Sequence, residues 1–173
     1  DHQIDEEQRT SMLTLAQAAS VVTVSTPKLA SILKEMGCAV ELIPNASDEK
    51  LWLTPLPQDY IQQVGERNGL ATGRKKILYM GTKSHAEDLK MIAPAVEEFL
   101  KAEASVELIQ IGGGYLLPGA REIVVPKESS GYADFVIWFR AICTYMSAAI
   151  APLRDDEFNS AKSHIKALDY GYA

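Results

Sequence analysis

The sequence predicts an α/β protein: a mostly parallel β-sheet with helices packed on both of its faces. Three observations lead there. Short apolar runs alternate with longer amphipathic stretches from Ser20 to the end of the chain. The first of these runs, "SVVTVST", is β-branched and apolar without alternation, the pattern of a strand covered on both sides. The helix-length segments between the runs supply the crossovers that parallel strands need.

The elements follow in order. Asp1–Ala19 enters on a helix-like segment with no strand before it. Ser20–Thr26 is a strand, and Thr26 then serves as the N-cap of a helix with Pro27 at its first position. That helix, "PKLASILKEMG", stops at Gly37, and "CAVELIPN" is the next strand, ended by Pro44. "ASDEKLWLTPLPQDY" has two prolines and little periodicity, so it reads as a connection or hinge. A short helix, "YIQQVGERNGL", precedes a basic patch at Gly73–Lys76.

A second alternation begins with the strand "KILYMG". The helix "SHAEDLKMIAPAVEEFLKAE" follows, its Ser84 and Glu87 spaced as a capping box. Next come the strand "SVELIQIGGG", the strand "REIVVP", the helix "ADFVIWFRAICTYM" and the strand "SAAIAPL". The closing stretch "FNSAKSHIKALDYGYA" reads as one helix starting near Asn159 or Ser160, with no strand after it. The alternation is thus expected to be incomplete at both ends, as in a segment of a longer protein.

Composition narrows the function. A chain of 173 residues can bury the core of one domain or parts of two. Its 47% hydrophobic and 23% charged residues are ordinary for a water-soluble protein. Seventeen Lys and Arg against 23 Asp and Glu give a net charge of −6, which argues against nucleic acid as a partner. A small anion held by a few local cations remains compatible with that balance. No apolar run approaches the roughly 20 residues of a membrane span, and "DHQIDEEQRT" is acidic rather than signal-like. Cys38 and Cys143 lie far apart in apolar surroundings and read as core thiols of a reduced compartment, a disulfide being the alternative. His2, His85 and His164 show no metal-ligand spacing, so neither a metal nor another cofactor is expected.

Three places could carry function. In the closing helix an apolar stripe of Ala161, Ile165, Leu168 and Tyr172 should face the sheet, with Lys162, Lys166 and Asp169 on a strip beside it. Lysines near a helix amino end are electrostatically misplaced unless an anion joins them; an acid one turn further suits a ribose hydroxyl. The plainer reading is that Asp155, Asp156 and Glu157 neutralise both lysines across a solvated surface.

In "YMGTKSH", Gly81 follows a strand and precedes a helix, so backbone N–H groups there could meet a phosphate or sugar, or Gly81 is an ordinary turn glycine. Lys83 is a phosphate contact or a solvated side chain, and His85 reads as a surface residue of the first helical turn. "IGGGYLLPG" matches the first two glycines of a dinucleotide fingerprint at Gly112 and Gly114 but has Leu117 at the third position. A sharply bending loop at the sheet edge accounts for it better than a nicotinamide or flavin site. Trp52, Trp138 and Phe139 read as packing.

The order and wording of the motifs resemble the GT-B glycosyltransferases of the large "group 1" type, which take nucleotide-sugar donors. "ASVVTVSTPKLASILKEMG" is similar to the end of their N-terminal domain, and "ELIPNASDEKLW" resembles their lead into the interdomain hinge. "ILYMGTKSHAEDL" resembles the opening of their donor-binding domain, and "IAPLRDDEFNSAKSHIKALDYGYA" is similar to a lysine-rich motif of one bacterial branch. The resemblance covers nearly the whole chain from Ala19 on.

It implies two Rossmann-like domains: residues 1–48 as the last part of the acceptor-side domain, 49–73 as the hinge, and 74–173 as the first part of the donor-binding domain. It implies a UDP- or GDP-sugar donor contacted by Gly81, Thr82, Asn159, Lys162, Ser163, Lys166 and Asp169, the two lysines facing the diphosphate. The acceptor would be a glycan or lipid-linked molecule of bacterial cell-surface polysaccharide assembly. The location would be the cytoplasm, with possible peripheral attachment at the inner face of the membrane through a missing N-terminal domain. Asp169 stands where relatives usually carry a ribose-binding Glu, and Ala161 where many carry a sugar-binding Glu. No catalytic base is assigned, and the segment alone is expected to lack transferase activity. The alternative is a non-catalytic α/β interaction module, a degenerate transferase domain.

Overall fold

The computed structural model describes residues 5–173; His2 lies outside them. The chain divides into two compact units, Asp1–Ala46 with Asp155–Ile165 and Ser47–Arg154 with Lys166–Ala173.

In the first unit, α1 (Glu6–Ala18) is opened by Asp5, whose carboxylate accepts from Gln8 N–H at 2.7 Å while Gln8 reaches back to the Asp5 amide. Strands β1 (Val22–Val24) and β2 (Val40–Leu42) pair in parallel, Val22 opposite Val40, around the crossover helix α2 (Pro27–Glu35). The expected strand–helix–strand unit is therefore present. The Thr26 hydroxyl caps α2 by accepting from Leu29 N–H at 3.2 Å, and Gly37 leaves the helix at φ +84°. The same hydroxyl donates to Ala161 O at 2.8 Å, and Asn45 Nδ2 donates to Ser163 Oγ at 2.6 Å. Both bonds hold the returning segment Asp155–Ile165 in this unit.

The second unit begins where the sequence offered few signals. Asp48 caps a five-residue helix, α3 (Glu49–Leu53), inside the stretch expected to be a bare connection. Five residues are too few to show periodicity, and the two prolines that follow masked the cap. Helix α4 spans Gln58–Arg67. A four-stranded, wholly parallel sheet follows in the order β5-β4-β3-β6: β3 is Lys75–Gly81, β4 Val106–Gly112, β5 Arg121–Glu122 and β6 Ala148–Ala149. Helix α5 (Ala86–Ala102) lies between β3 and β4 in sequence, and α6 (Tyr132–Cys143) between β5 and β6. The unit is an α/β fold of the Rossmann-like kind.

Period-two alternation sorts the core onto the two sheet faces. Leu78, Met80, Ile109 and Ile111 pack with α6, α4 and Trp52, whereas Ile77, Tyr79 and Leu108 pack with Leu89 and Ala93 of α5. Trp52, Trp138 and Phe139 are buried as expected of packing residues, the Trp52 and Phe139 rings meeting edge to face at 6.5 Å. Cys38 and Cys143 are free thiols; burial pushes the Cys143 thiol up to about 12. Lys76, the last residue of the basic patch, is buried, its ammonium donating to Thr72 Oγ1 at 2.8 Å and Arg74 O at 3.0 Å. No helix among the described residues is long and apolar enough to cross a membrane.

Because one hydroxyl both caps α2 and holds the returning segment, Thr26→Ala should cost about 1–2 kcal/mol of stability. Thr26→Ser should restore most of it. Urea unfolding of the three proteins measures both effects; equal stability of Thr26→Ala and wild type would refute the dual role.

Candidate functional site at the carboxyl ends of the strands

From β3 the chain runs outward on one side through β4 to β5, then returns to place β6 on the other side of β3. The strand order therefore reverses between β3 and β6, and in open parallel sheets ligands collect at the carboxyl ends beside such a reversal. What stands there is Met80 and Gly81 from β3, the segment after β6, and Lys166 and Tyr170 of the last helix, α8 (Ile165–Tyr172).

The closing stretch is not one helix. A four-residue turn of helix, α7 (Glu157–Ser160), is capped by Asp156 through Asn159 N–H at 2.7 Å, and α8 begins only at Ile165. The carboxylate expected to screen lysines is thus a cap. Ala161 O is engaged by Thr26 and Ser163 by Asn45, so the backbone between the two helices follows these partners instead of continuing the spiral. With the helix restarted at Ile165, the expected inward stripe fails: Ile165 is 45% and Tyr172 37% exposed. Lys166, Tyr170 and Ala173 share a face instead, at i, i+4 and i+7, and Tyr170 and Ala173 are the two that join the core.

Lys166 sits over the carboxyl end of β3. Its Nζ lies 3.4 Å from the Tyr79 hydroxyl and 4.9 Å above the Tyr79 ring. Gly81 lies against both groups: a Cβ there would collide with the Tyr79 hydroxyl and come within 3.1 Å of Lys166 Nζ. Gly81 is therefore required by close approach, and an ordinary turn does not explain it. Burial, chiefly, and then the Tyr170 and Asp88 side chains push the Tyr79 phenol well above its ordinary value, so it is neutral at physiological pH. Burial likewise raises the Asp169 carboxyl.

The turn after β3 differs from expectation. The Ser84–Glu87 capping box does not form. Lys83–His85 make a 3-10 turn, Ser84 Oγ pairs with Thr82 Oγ1 at 2.9 Å, and α5 starts at Ala86. His85 is not a surface residue: its Nδ1 lies 2.8 Å from the buried Asp88 carboxylate, which also accepts from Arg154 N–H at 3.0 Å. Asp88 thereby joins the turn after β3 to the segment after β6.

Gln110, which nothing in the sequence singled out, organises the glycine loop. Buried on β4, it donates to Gly112 O and Tyr115 O at 2.8 and 2.7 Å and accepts from Leu117 N–H at 3.0 Å. Gly112, Gly113 and Gly114 all take positive φ, and side chains at the last two would strike Leu89 and Tyr79 or the Lys83 backbone. The loop bends sharply, as expected, but it leaves the carboxyl end of β4, an interior strand, and not the sheet edge. With Gly81, Thr82 and Lys83 it borders a cavity of about 460 Å³.

A second cavity of about 450 Å³ lies at the opposite, amino end of the strands, lined by Arg74, Lys101 and Arg121 among others. Its cations are engaged: Arg121 with Glu107 at 2.5 Å, Lys101 with Glu97 at 2.7 Å, and Arg74 with Val106 O. The carboxyl end remains the stronger candidate.

Of the residues singled out in the sequence, the second unit brings Gly81 and Lys166 into direct proximity, with Thr82 beside them in the chain and Asp169 on α8. Asn159, Lys162 and Ser163 belong to the first unit. There Asn159 is buried and Lys162 Nζ lies 4.5 Å over the Phe158 ring. Compared with known proteins, the chain matches no protein-family model and no curated protein.

Gly81→Ala should cost about 1–3 kcal/mol, because the Tyr79 ring it would displace is fully buried. Thermal unfolding tests this, and a neutral substitution would contradict the close approach. For Asp169 the sign is opposite to that of an ion-paired acid. Its folded carboxyl holds a proton more tightly than the unfolded one, so stability falls as pH rises through the range just above the ordinary carboxylate value. Asp169→Asn should therefore be at least as stable as wild type at pH 7, with any advantage lost once both states are protonated. A stability loss at pH 7 that vanishes in acid would contradict this.

Proposed function

We propose that the chain is part of a GT-B glycosyltransferase that moves a sugar from a nucleoside-diphosphate donor to a glycan or lipid-linked acceptor in cell-surface polysaccharide assembly. The work would be done in the cytoplasm or at the inner face of the membrane. The motif order supports this reading, and so does the Rossmann-like sheet with a reversal of strand order between β3 and β6. The observation that carries it is the meeting of Lys166 with the backbone of Gly81 at that reversal. A strand end kept bare of side chain, with an ammonium 3.1 Å from where a Cβ would stand, suits a diphosphate that must approach the backbone closely.

In this reading Lys166 and the backbone of Gly81 and Thr82 bind the diphosphate, and Asp169 takes a ribose hydroxyl. The chemistry is electrostatic: fixed positive groups stabilise the diphosphate as it leaves the sugar. One observation favours the second reading, a non-catalytic interaction module. Lys166 already rests on the Tyr79 ring, a contact sufficient for a purely structural role.

Titration calorimetry with UDP- and GDP-sugars separates the two. The transferase reading expects binding to the wild-type chain, weakened about tenfold or more by Lys166→Ala, the loss of a charge-assisted contact. Binding that Lys166→Ala retains in full would overturn the assignment of that lysine. A wild type that binds neither nucleotide class would leave the interaction module standing.

A further inference from the structure

Bonds along a parallel ladder recur every two residues on each strand. Between β3 and β6 the last such bond runs from Ile150 N–H to Leu78 O at 2.8 Å. Continued in register, the next would join Met80 N–H to Ile150 O, and the one after would need an N–H from position 152, where Pro152 has none. Neither forms in the ordinary way. The Met80 N–H donates instead to the Tyr170 hydroxyl at 2.8 Å, and that hydroxyl lies 3.3 Å from Ile150 O and 3.4 Å from Met80 O. One phenol oxygen is inserted where a rung belongs, accepting from one strand and donating to the acceptors beside it.

The arrangement is anchored from behind. The Tyr170 ring packs 6.2 Å from Phe139 of α6, and burial, chiefly, raises its phenol to about 12, so the donor proton is retained at physiological pH. Lys166 stands one helical turn before Tyr170 on α8, so the residue that parts the strands and the residue over Gly81 are fixed by the same element.

We propose that Tyr170 is a positioning residue whose hydroxyl, inserted as a rung between Met80 and Ile150, keeps β3 and β6 apart and so holds the crevice beside Gly81 open for its ligand. The inference rests on the phosphate-bearing ligand proposed above. Without the hydroxyl, Met80 N–H either pairs directly with Ile150 O and narrows the crevice, or loses its partner and loosens the strand end.

The test compares the wild-type chain with Tyr170→Phe and with Phe139→Leu, which disturbs the same packing and leaves the hydroxyl in place. UDP and GDP are the probes, titrated calorimetrically at a temperature where circular dichroism shows all three proteins fully folded. Tyr170→Phe should weaken nucleotide binding about tenfold or more, the cost of misplacing a buried hydrogen-bonded group, while Phe139→Leu stays close to wild type. Unchanged affinity in Tyr170→Phe, or an equal loss in both variants, overturns the positioning role while leaving the ligand reading intact. A wild type that binds neither nucleotide sinks the ligand reading and the role of Tyr170 with it.

Discussion

The second unit depends on β3. It is paired on both sides, to β4 over seven residue positions and to β6 over two, and each of its faces feeds a different hydrophobic cluster. Leu78 and Tyr79 are adjacent in sequence, fully buried, and point to opposite faces, so the strand admits no slip: a one-residue shift would exchange both clusters at once. That rigidity is what makes its carboxyl end usable. Met80 and Gly81 emerge from a strand whose position is set by two cores, and the groups that gather there inherit that precision.

In the proposed reading, function and stability compete over the same few atoms at this end. A side chain at Gly81 would add β-propensity but has no room beside Tyr79 and Lys166. Burial disfavours the ionised form of Asp169, whereas Lys166 over the Tyr79 ring makes a favourable contact. Asp88 adds a further connection, binding the turn after β3 through His85 and the segment after β6 through the Arg154 amide. The turn after β3 is thus tied to the segment after β6 through one buried carboxylate.

Local rules read correctly wherever local interactions decide. Thr26-Pro27 and Gly37 marked the ends of α2, and the alternation of apolar runs with amphipathic ones gave the parallel sheet. Reading failed where a partner outside the expected motif overrode a local signal. The Ser84–Glu87 spacing lost to a hydroxyl pair between Thr82 and Ser84. A continuous helix from Asn159 lost to Thr26 and Asn45, which claim Ala161 and Ser163 from more than a hundred residues away. That break parts Lys162 from Lys166, and packing against the core, not the apolar pattern, decides that Tyr170 rather than Ile165 faces inward on α8. Gln110 was invisible for a related reason: a polar residue in an apolar strand acquires meaning only from the loop it folds.

The proposed ligand belongs at the carboxyl end of the sheet, and the cation-lined cavity at the amino end has no part in binding it. Backbone amide resonances followed during a titration of the chain with UDP and GDP test this most directly. The account predicts shifts concentrated at Met80, Gly81, Thr82 and Lys166. Shifts confined to Arg74, Lys101 and Arg121, or none at any of these positions, would contradict it.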